Sequence, residues 1–184
     1  VVAVYNDGDL GVYRHEKNAD GSSVTKAQID KRHKNSTSAG GTKMGETEYW
    51  DEFINFNTGK EEGYILFSDD PNASWDVLVK WGNERSNSQD LSITMEESKG
   101  YGVLDIKRNK DWTIAPNPFV DPVMTGRKLN GKYATARSAG NFLAGLNGVT
   151  GTFMGNRING ETYMKLAGAY QLGKLNKANI SKII

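Results

Sequence analysis

Between Ala136 and Gly148 a small residue returns at every fourth position (Ala136, Gly140, Ala144, Gly148), and no charged residue falls between Ser138 and Gly151. At 3.6 residues per turn this spacing lays a ridge of small side chains along one side of a helix. Such a ridge lets a second element approach the helix backbone closely, while Phe142, Leu143 and Leu146 supply bulk. The helix is therefore expected to be buried or nearly so. Arg137 and Asn141 are its polar exceptions, one turn apart and beside the ridge. A guanidinium in an apolar setting must meet a carboxylate, a row of carbonyls or a ligand anion. Two readings follow: Arg137 pairs with an acid such as Asp105 while Asn141 ties down a loop, or the two side chains grip a polar substrate.

"VVAVY" and "LGVYR" flank "NDGD", two short runs joined by Asp-Gly turn chemistry, which predicts a β-hairpin at the start. Residues 15 to 47 read as loop with a short helix near Thr25 to Lys34, and Tyr64 to Phe67 read as a strand. "NASWDVLVKWGNER" predicts a helix capped by Asn72 or Ser74, with Trp75, Leu78 and Val79 on one face. A second helical piece is expected over Leu91 to Ser98, a strand over "GYGVLDIKR", and a long loop over the proline-rich "APNPFVDPVMTGRKLNGKY". After the small-residue helix, a Gly-rich connector leads to "ETYMKLAGAYQLG", a helix with Gly173 beyond its end, and residues 174 to 184 add a short basic helix. The pattern is α+β, a single domain over residues 1–184 with a β-rich N-terminal half and a helical C-terminal third. The chain stops without a capping residue, so sequence is expected to continue past Ile184.

Composition narrows the class. At 184 residues one good-sized core is possible, since folding at this length removes roughly 70% of the unfolded surface from water. Apolar residues make up 37% and charged ones 24%, with 4 Trp, 8 Tyr and 6 Phe, which is too aromatic for a disordered chain. No apolar run approaches the roughly 18 residues that span a bilayer. The absence of Cys excludes disulfides, thiolate metal sites and Cys nucleophiles. Net charge is +1, yet unevenly laid out. Glu46, Glu48, Asp51, Glu52, Glu61, Glu62, Asp69, Asp70 and Asp76 face only Lys60 and Lys80 between residues 45 and 80. From residue 129 on, Glu161 alone stands against Lys132, Arg137, Arg157, Lys165, Lys174, Lys177 and Lys182. A basic third can face phosphates, acidic glycans or an acidic protein, or be a solvated face.

The candidate proton-transfer groups are two carboxylates. Alternation in "VLDIK" places Leu104 and Ile106 on one strand face and Asp105 on the other. A lone acid among apolar residues suits a general base, and the alternative is a strand-end acid paired with Lys107 or Arg108. Glu161 sits in the first turn of its helix, where the macrodipole stabilises a carboxylate in any case. If it converges with Asp105, the two form a pair suited to glycoside cleavage. His15 and His33 fit no ligand spacing, the acidic loops lack the EF-hand pattern, and no P-loop, G-x-G-x-x-G or G-x-S-x-G motif occurs. No metal and no cofactor are expected.

"LDIK", "LNGKYATARSAGNFLAGLNG" and "ETYMKLAGAYQ", in this order, resemble the C-terminal toxin domains at the tips of Rhs-repeat and other polymorphic effectors of Bacteroidetes, and more distantly the polymorphic toxin type 44 family. The shared elements are Asp105 with Lys107, then Gly140, Asn141 and Gly145, then Ala167, Gly168 and Gln171. "DGDLGVYRH", "STSAGGTKMGETEYWDEF" and "TGK" extend the resemblance over most of the chain. Two features depart from it: relatives often carry an acid where this chain has Arg137 or Ser138, and they continue into a segment with a Tyr-Gly pair and an acid. The resemblance implies an antibacterial effector toxin, carried by an Rhs protein or a secretion system such as type VI, secreted into a target bacterial cell and neutralised by a cognate immunity protein.

Near-neutral charge and carboxylates as the acid–base groups favour a hydrolase acting on peptidoglycan in the periplasm. Asp105 and Glu161 are then catalytic, and Lys107, Arg137, Asn141 and Gln171 bind a peptidoglycan fragment or another polyanionic substrate. The alternatives are a nuclease toxin and a non-enzymatic binding or tip domain.

Overall fold

A computed structural model describes residues 2–6, 11–14, 20–23, 25, 27–28, 42–49, 54–55, 60–61, 65–68, 70, 72–108 and 125–171. The class is α+β as expected, with described strands both before and after the helices at residues 76–97, and with a helix at the end of the described chain. The described chain divides into two compact units, each built from two separate stretches: residues 1–76 with 106–139, and residues 77–105 with 140–184. No described helix is long and apolar enough to cross a membrane.

The first unit holds a six-stranded sheet in the order β3-β2-β1-β6-β7-β8. The expected opening hairpin is present: β1 (Val2–Asn6) pairs antiparallel with β2 (Gly11–Arg14), Asn6 opposite Gly11. β2 continues onto β3 (Thr42–Glu46), and β6 (Ile65–Phe67), where a strand was expected, lies antiparallel to β1 and parallel to β7 (Thr125–Leu129). A separate ribbon joins β4 (Ile54–Asn55) to β5 (Lys60–Glu61). At residues 25–28 the Thr25 hydroxyl accepts from the Gln28 amide, and the Gln28 carboxamide accepts from the Thr25 amide (2.8 Å), a reciprocal helix-start signature within the expected helix. The remainder of that helix lies outside the described residues.

One sequence expectation fails here. Residues 125 to 133, read as part of a proline-rich loop, belong to the hairpin of β7 with β8 (Lys132–Thr135). Its two-residue turn is Asn130-Gly131, with φ of +49° and +79°, and two positive φ values are what a turn matching the strand twist demands. Beneath this hairpin Trp75 is fully buried; its amide donates to the Lys128 carbonyl (2.7 Å) and its indole N–H to the Ala134 carbonyl (3.1 Å). The Arg127 guanidinium lies over the same ring, 5.1 Å from its centre.

The outer strands β3 and β8 curl toward each other. Thr47 donates its hydroxyl to the Tyr133 carbonyl (2.6 Å), and the Tyr133 ring covers Gly45 so closely that a Cβ there would lie 2.8 Å from a ring carbon.

The second unit is helical, and two of its helices start on residues assigned to the first, at Asp76 and at Ala136–Ala139. α1 (Asp76–Asn87) begins where expected, with Ser74 Oγ accepting from the Asp76 amide as N-cap, and Trp75 and Val79 are buried with Leu78 half-buried beside them. α2 (Leu91–Glu97) is capped by Asp90, which accepts from the Ser92 amide at 2.9 Å. α3 (Ala136–Thr150) is the small-residue helix, and α4 (Gly160–Gln171) follows it. Between them the Gly-rich connector contains a further hairpin, of β9 (Thr152–Phe153) and β10 (Asn156–Arg157) around Met154-Gly155. Among the described residues of this unit Val79, Leu91, Leu104, Leu143 and Leu166 are the buried apolar ones, and Gly82 leaves room for Leu143, whose Cδ2 would stand 2.7 Å from a Cβ.

The ridge of α3 performs the packing its spacing implied. The Tyr163 ring of α4 lies against Gly148, and its hydroxyl donates to the Ala144 carbonyl. Burial pushes the Tyr163 phenol above its ordinary value. The helix is nevertheless not buried all round: Asn141, Phe142, Ala144, Gly145 and Val149 are exposed. Its buried line is Ala139, Leu143 and Asn147, one side of the cylinder only.

Candidate functional site

The predicted strand around Asp105 does not form. Residues 98 to 108 are consecutive turns, and Leu104, Asp105 and Ile106 are all buried, which an alternating strand could not achieve with one covered face. The cause is local. Gly102 packs on the carbonyl of Glu97, where any side chain would collide, and the Leu104 amide returns to the same carbonyl (2.9 Å). Asp105, 3% exposed, accepts the Tyr101 amide on Oδ2 at 2.9 Å. Tyr101 has a φ of +65°, a conformation costly for a bulky residue, so the carboxylate fastens a turn that would otherwise open.

Glu161 occupies the first turn of α4 as expected. Its side chain is 77% exposed and pairs with Lys165 one turn on, Nζ to Oε1 2.8 Å. Asn159 supplies the cap, accepting from the Thr162 amide at 2.8 Å. Asn141 is exposed on α3, and Arg137 is half-buried in its first turn, where the Thr135 hydroxyl accepts from the Ser138 amide. Lys107 is half-buried in the turn after Asp105, and Gln171 is the last residue of α4. Asp105, Asn141, Glu161 and Gln171 thus belong to the second unit and Lys107 and Arg137 to the first. The two carboxylates stand in contrasting settings, Asp105 enclosed and holding a backbone amide, Glu161 in solvent beside a lysine. His15 and His33 lie outside the described residues, among which no cluster of three metal-ligating side chains occurs.

Two charged arrangements were not foreseen. In the first unit an open groove of about 450 Å³ is lined by Lys43, Met44, Gly45, Glu46, Gly131 and Lys132. Glu46 receives Lys132 Nζ at 2.8 Å and stands 3.7 Å from Lys43, and Lys132 reaches Glu48 at 3.9 Å. The Lys132 hydrogen bond, with its charge, holds Glu46 below the ordinary carboxylate value, and Glu46 in turn raises Lys132. The Asn-Gly dipeptide at 130–131 was the signal for the hairpin that creates this groove.

In the second unit Glu97 accepts from two Arg85 nitrogens, Nε (2.7 Å) and Nη2, and from the Gln89 amide at 2.8 Å. These bonds, Arg85 first, keep Glu97 below its usual value. Next to them Ser86 and Thr94 share a buried hydroxyl contact of 3.2 Å, and Asn83 reaches Asn147 (3.1 Å) and Thr150 (2.8 Å). These polar contacts tie α1 to α2 and α3. Compared with protein-family models, curated proteins and solved structures, the chain matches none.

Proposed function

We propose that the chain is an antibacterial effector toxin domain, secreted and delivered into a target bacterium, that hydrolyses peptidoglycan by carboxylate acid–base chemistry and is held in check by an immunity protein. The observation that carries this reading is the ordered motif series, Asp105 with Lys107, then Gly140, Asn141 and Gly145, then Ala167, Gly168 and Gln171, of which all but Lys107 fall in one compact unit, on a turn, on α3 and on α4. The reading gives proton transfer to Asp105 and Glu161, substrate contacts to Asn141 and Gln171, and interaction with acidic substituents to Lys107 and Arg137. Glu161, open to solvent, suits the partner that receives or activates water. A nuclease is the second reading, favoured by the basic residues from Lys132 to Lys182 that stand against Glu161 alone.

Expression of the full chain with and without export to the periplasm separates the two. Envelope hydrolysis gives cell rounding, lysis and released glycan fragments only on export. Killing in the cytosol with loss of nucleic acid replaces the reading with the nuclease, and harmlessness in both compartments leaves a binding domain. Asp105→Asn adds a check on role, because the amide oxygen still accepts from Tyr101 and the turn is kept. Toxicity should be lost at an unchanged circular dichroism spectrum; a fully toxic Asp105→Asn chain removes Asp105 from the chemistry.

A further inference from the structure

We propose that Asn130 is a self-modification site: its side-chain amide is lost to the backbone nitrogen of Gly131, and the product loosens the β7–β8 hairpin irreversibly. The chain has three Asn-Gly pairs, at 130, 147 and 159. In such a pair the glycine nitrogen attacks the asparagine Cγ. The new N–C bond closes a five-membered succinimide, the bond to the side-chain nitrogen breaks, and ammonia leaves with the proton of the glycine N–H. Water then opens the ring at either carbonyl. One opening gives aspartate, the other isoaspartate, in which the chain runs through Cβ and Cγ. Only water is consumed, and the new carboxylate takes the formal net charge from +1 to zero.

The fold separates the three pairs. Asn147 is 3% exposed, its side-chain oxygen accepts from Asn83 at 3.1 Å, and the Gly148 amide belongs to the helical ladder of α3 beneath the Tyr163 ring. Asn159 is fixed by its cap: the side-chain oxygen accepts from the Thr162 amide (2.8 Å) and the main-chain carbonyl from the Tyr163 amide (3.1 Å). At Asn130 neither reacting group is held in this way. Asn130 and Gly131 are both exposed, the Gly131 amide makes no hydrogen bond among the described residues, and a Cβ at 131 would find no atom within 4 Å. The Asn130 side chain donates one long bond, to the Tyr49 hydroxyl at 3.4 Å. Two left-handed positions select Asn and Gly, so the pair that builds the turn is also the pair that reacts. Attack requires the turn to open, and an exposed two-residue turn opens at less cost than a helix interior or a capped first turn.

The consequence follows from the register. Leu129 pairs with Lys132 across the turn, and isoaspartate adds a backbone carbon that a two-residue connection in this register does not accommodate. Its carboxylate also enters the neighbourhood of Asp76, which accepts the Asn130 amide at 2.8 Å. β7 and β8 supply the Lys128 and Ala134 carbonyls that hold Trp75, so a loosened turn reaches that buried ring.

The test is to age the full chain in warm, mildly alkaline buffer and to map its peptides by mass spectrometry. Asn130 is expected to convert about tenfold or more faster than Asn147 and Asn159 in the folded chain, and the three rates should draw level in urea. Converted chain, separated by ion exchange, should exchange its Trp75 and Lys128 amides faster than fresh chain. Asn130→Gly, which has no amide to lose, should age without that change. Conversion at 130 no faster than at the other two pairs overturns the proposal. So does a lead that persists in urea, which would belong to the flanking sequence, or a converted chain whose Trp75 amide exchanges as slowly as before.

Discussion

Gly148 shows how much a single hydrogen atom decides here. The Tyr163 ring occupies the volume a methyl group would need, so Gly148→Ala forces the ring outward and strains the hydroxyl's bond to the Ala144 carbonyl. Overfilling of this kind costs about 1–3 kcal/mol, far more than alanine's gain in helix propensity, and thermal unfolding should show a lowered midpoint. Glu97 makes a second residue-scale prediction through pH. Its folded value lies below the ordinary 4.5 because Arg85 and Gln89 bond the charged form. The stabilisation is therefore complete above the unfolded value and is lost as pH falls through the folded one. Urea midpoints of wild type and Glu97→Gln should differ at neutral pH and converge in acid. A gap that stays constant down to low pH would mean that the Arg85 pairing adds nothing. Gly148 was legible in the sequence as part of the small-residue ridge, though Tyr163 as its neighbour was not, and Glu97 did not stand out, because its pairing depends on Arg85 on another helix.

At the level of elements, periodicity was legible and irregular backbone was not. The opening hairpin, β6 and the four helices named among the described residues follow from apolar spacing and caps, with Ser74 and Thr25 both acting as the starts they resemble. "GYGVLDIKR" misleads because its alternation is real, yet Gly102 and the Asp105 carboxylate give the backbone a better local solution than a ladder. For the candidate site the consequence is direct: alternation was to set Asp105 on the strand face opposite Leu104 and Ile106, and the turn buries all three instead. The hairpin at 125–135 was hidden by the prolines before it, although Asn130-Gly131 is strong turn chemistry. That turn is testable. Gly131 has a φ of +79°, so Gly131→Ala should cost about 1–2 kcal/mol with no lost contact, since nothing lies within 4 Å of the added methyl. Asn130→Gly relieves the other left-handed position while keeping the amide that Asp76 accepts at 2.8 Å, and should fall well short of that loss. Equal destabilisation by both, measured by thermal unfolding, would assign the effect to the Asn130 side chain rather than to turn geometry.

For the whole molecule the decisive feature is the order in which the chain visits its two units. The first is left at Asp76 with its sheet unfinished and regained at Ile106, and the second is interrupted in the same way between Asp105 and Gly140. β6 waits for β7 across that interval, a parallel pairing that only a long excursion can supply. No sequence pattern announced this interleaving, because local periodicity carries no information about which stretch returns to which neighbour. It predicts that the chain cannot be divided by one cut. A fragment of residues 1–105 keeps β1 to β6 but loses β7 and β8, leaving the β6 edge unpaired and stripping Trp75 of both the Lys128 and the Ala134 carbonyls. A buried tryptophan with two orphaned donors costs several kcal/mol in unmet hydrogen bonds and lost packing, a large part of the 5–15 kcal/mol that holds a domain together. The fragment, like its complement 106–184, should show no cooperative thermal transition and no slow amide exchange, while the two mixed should regain both if the interleaved units reassemble. A fragment 1–105 that melts cooperatively by itself would show that the first unit closes without its later strands.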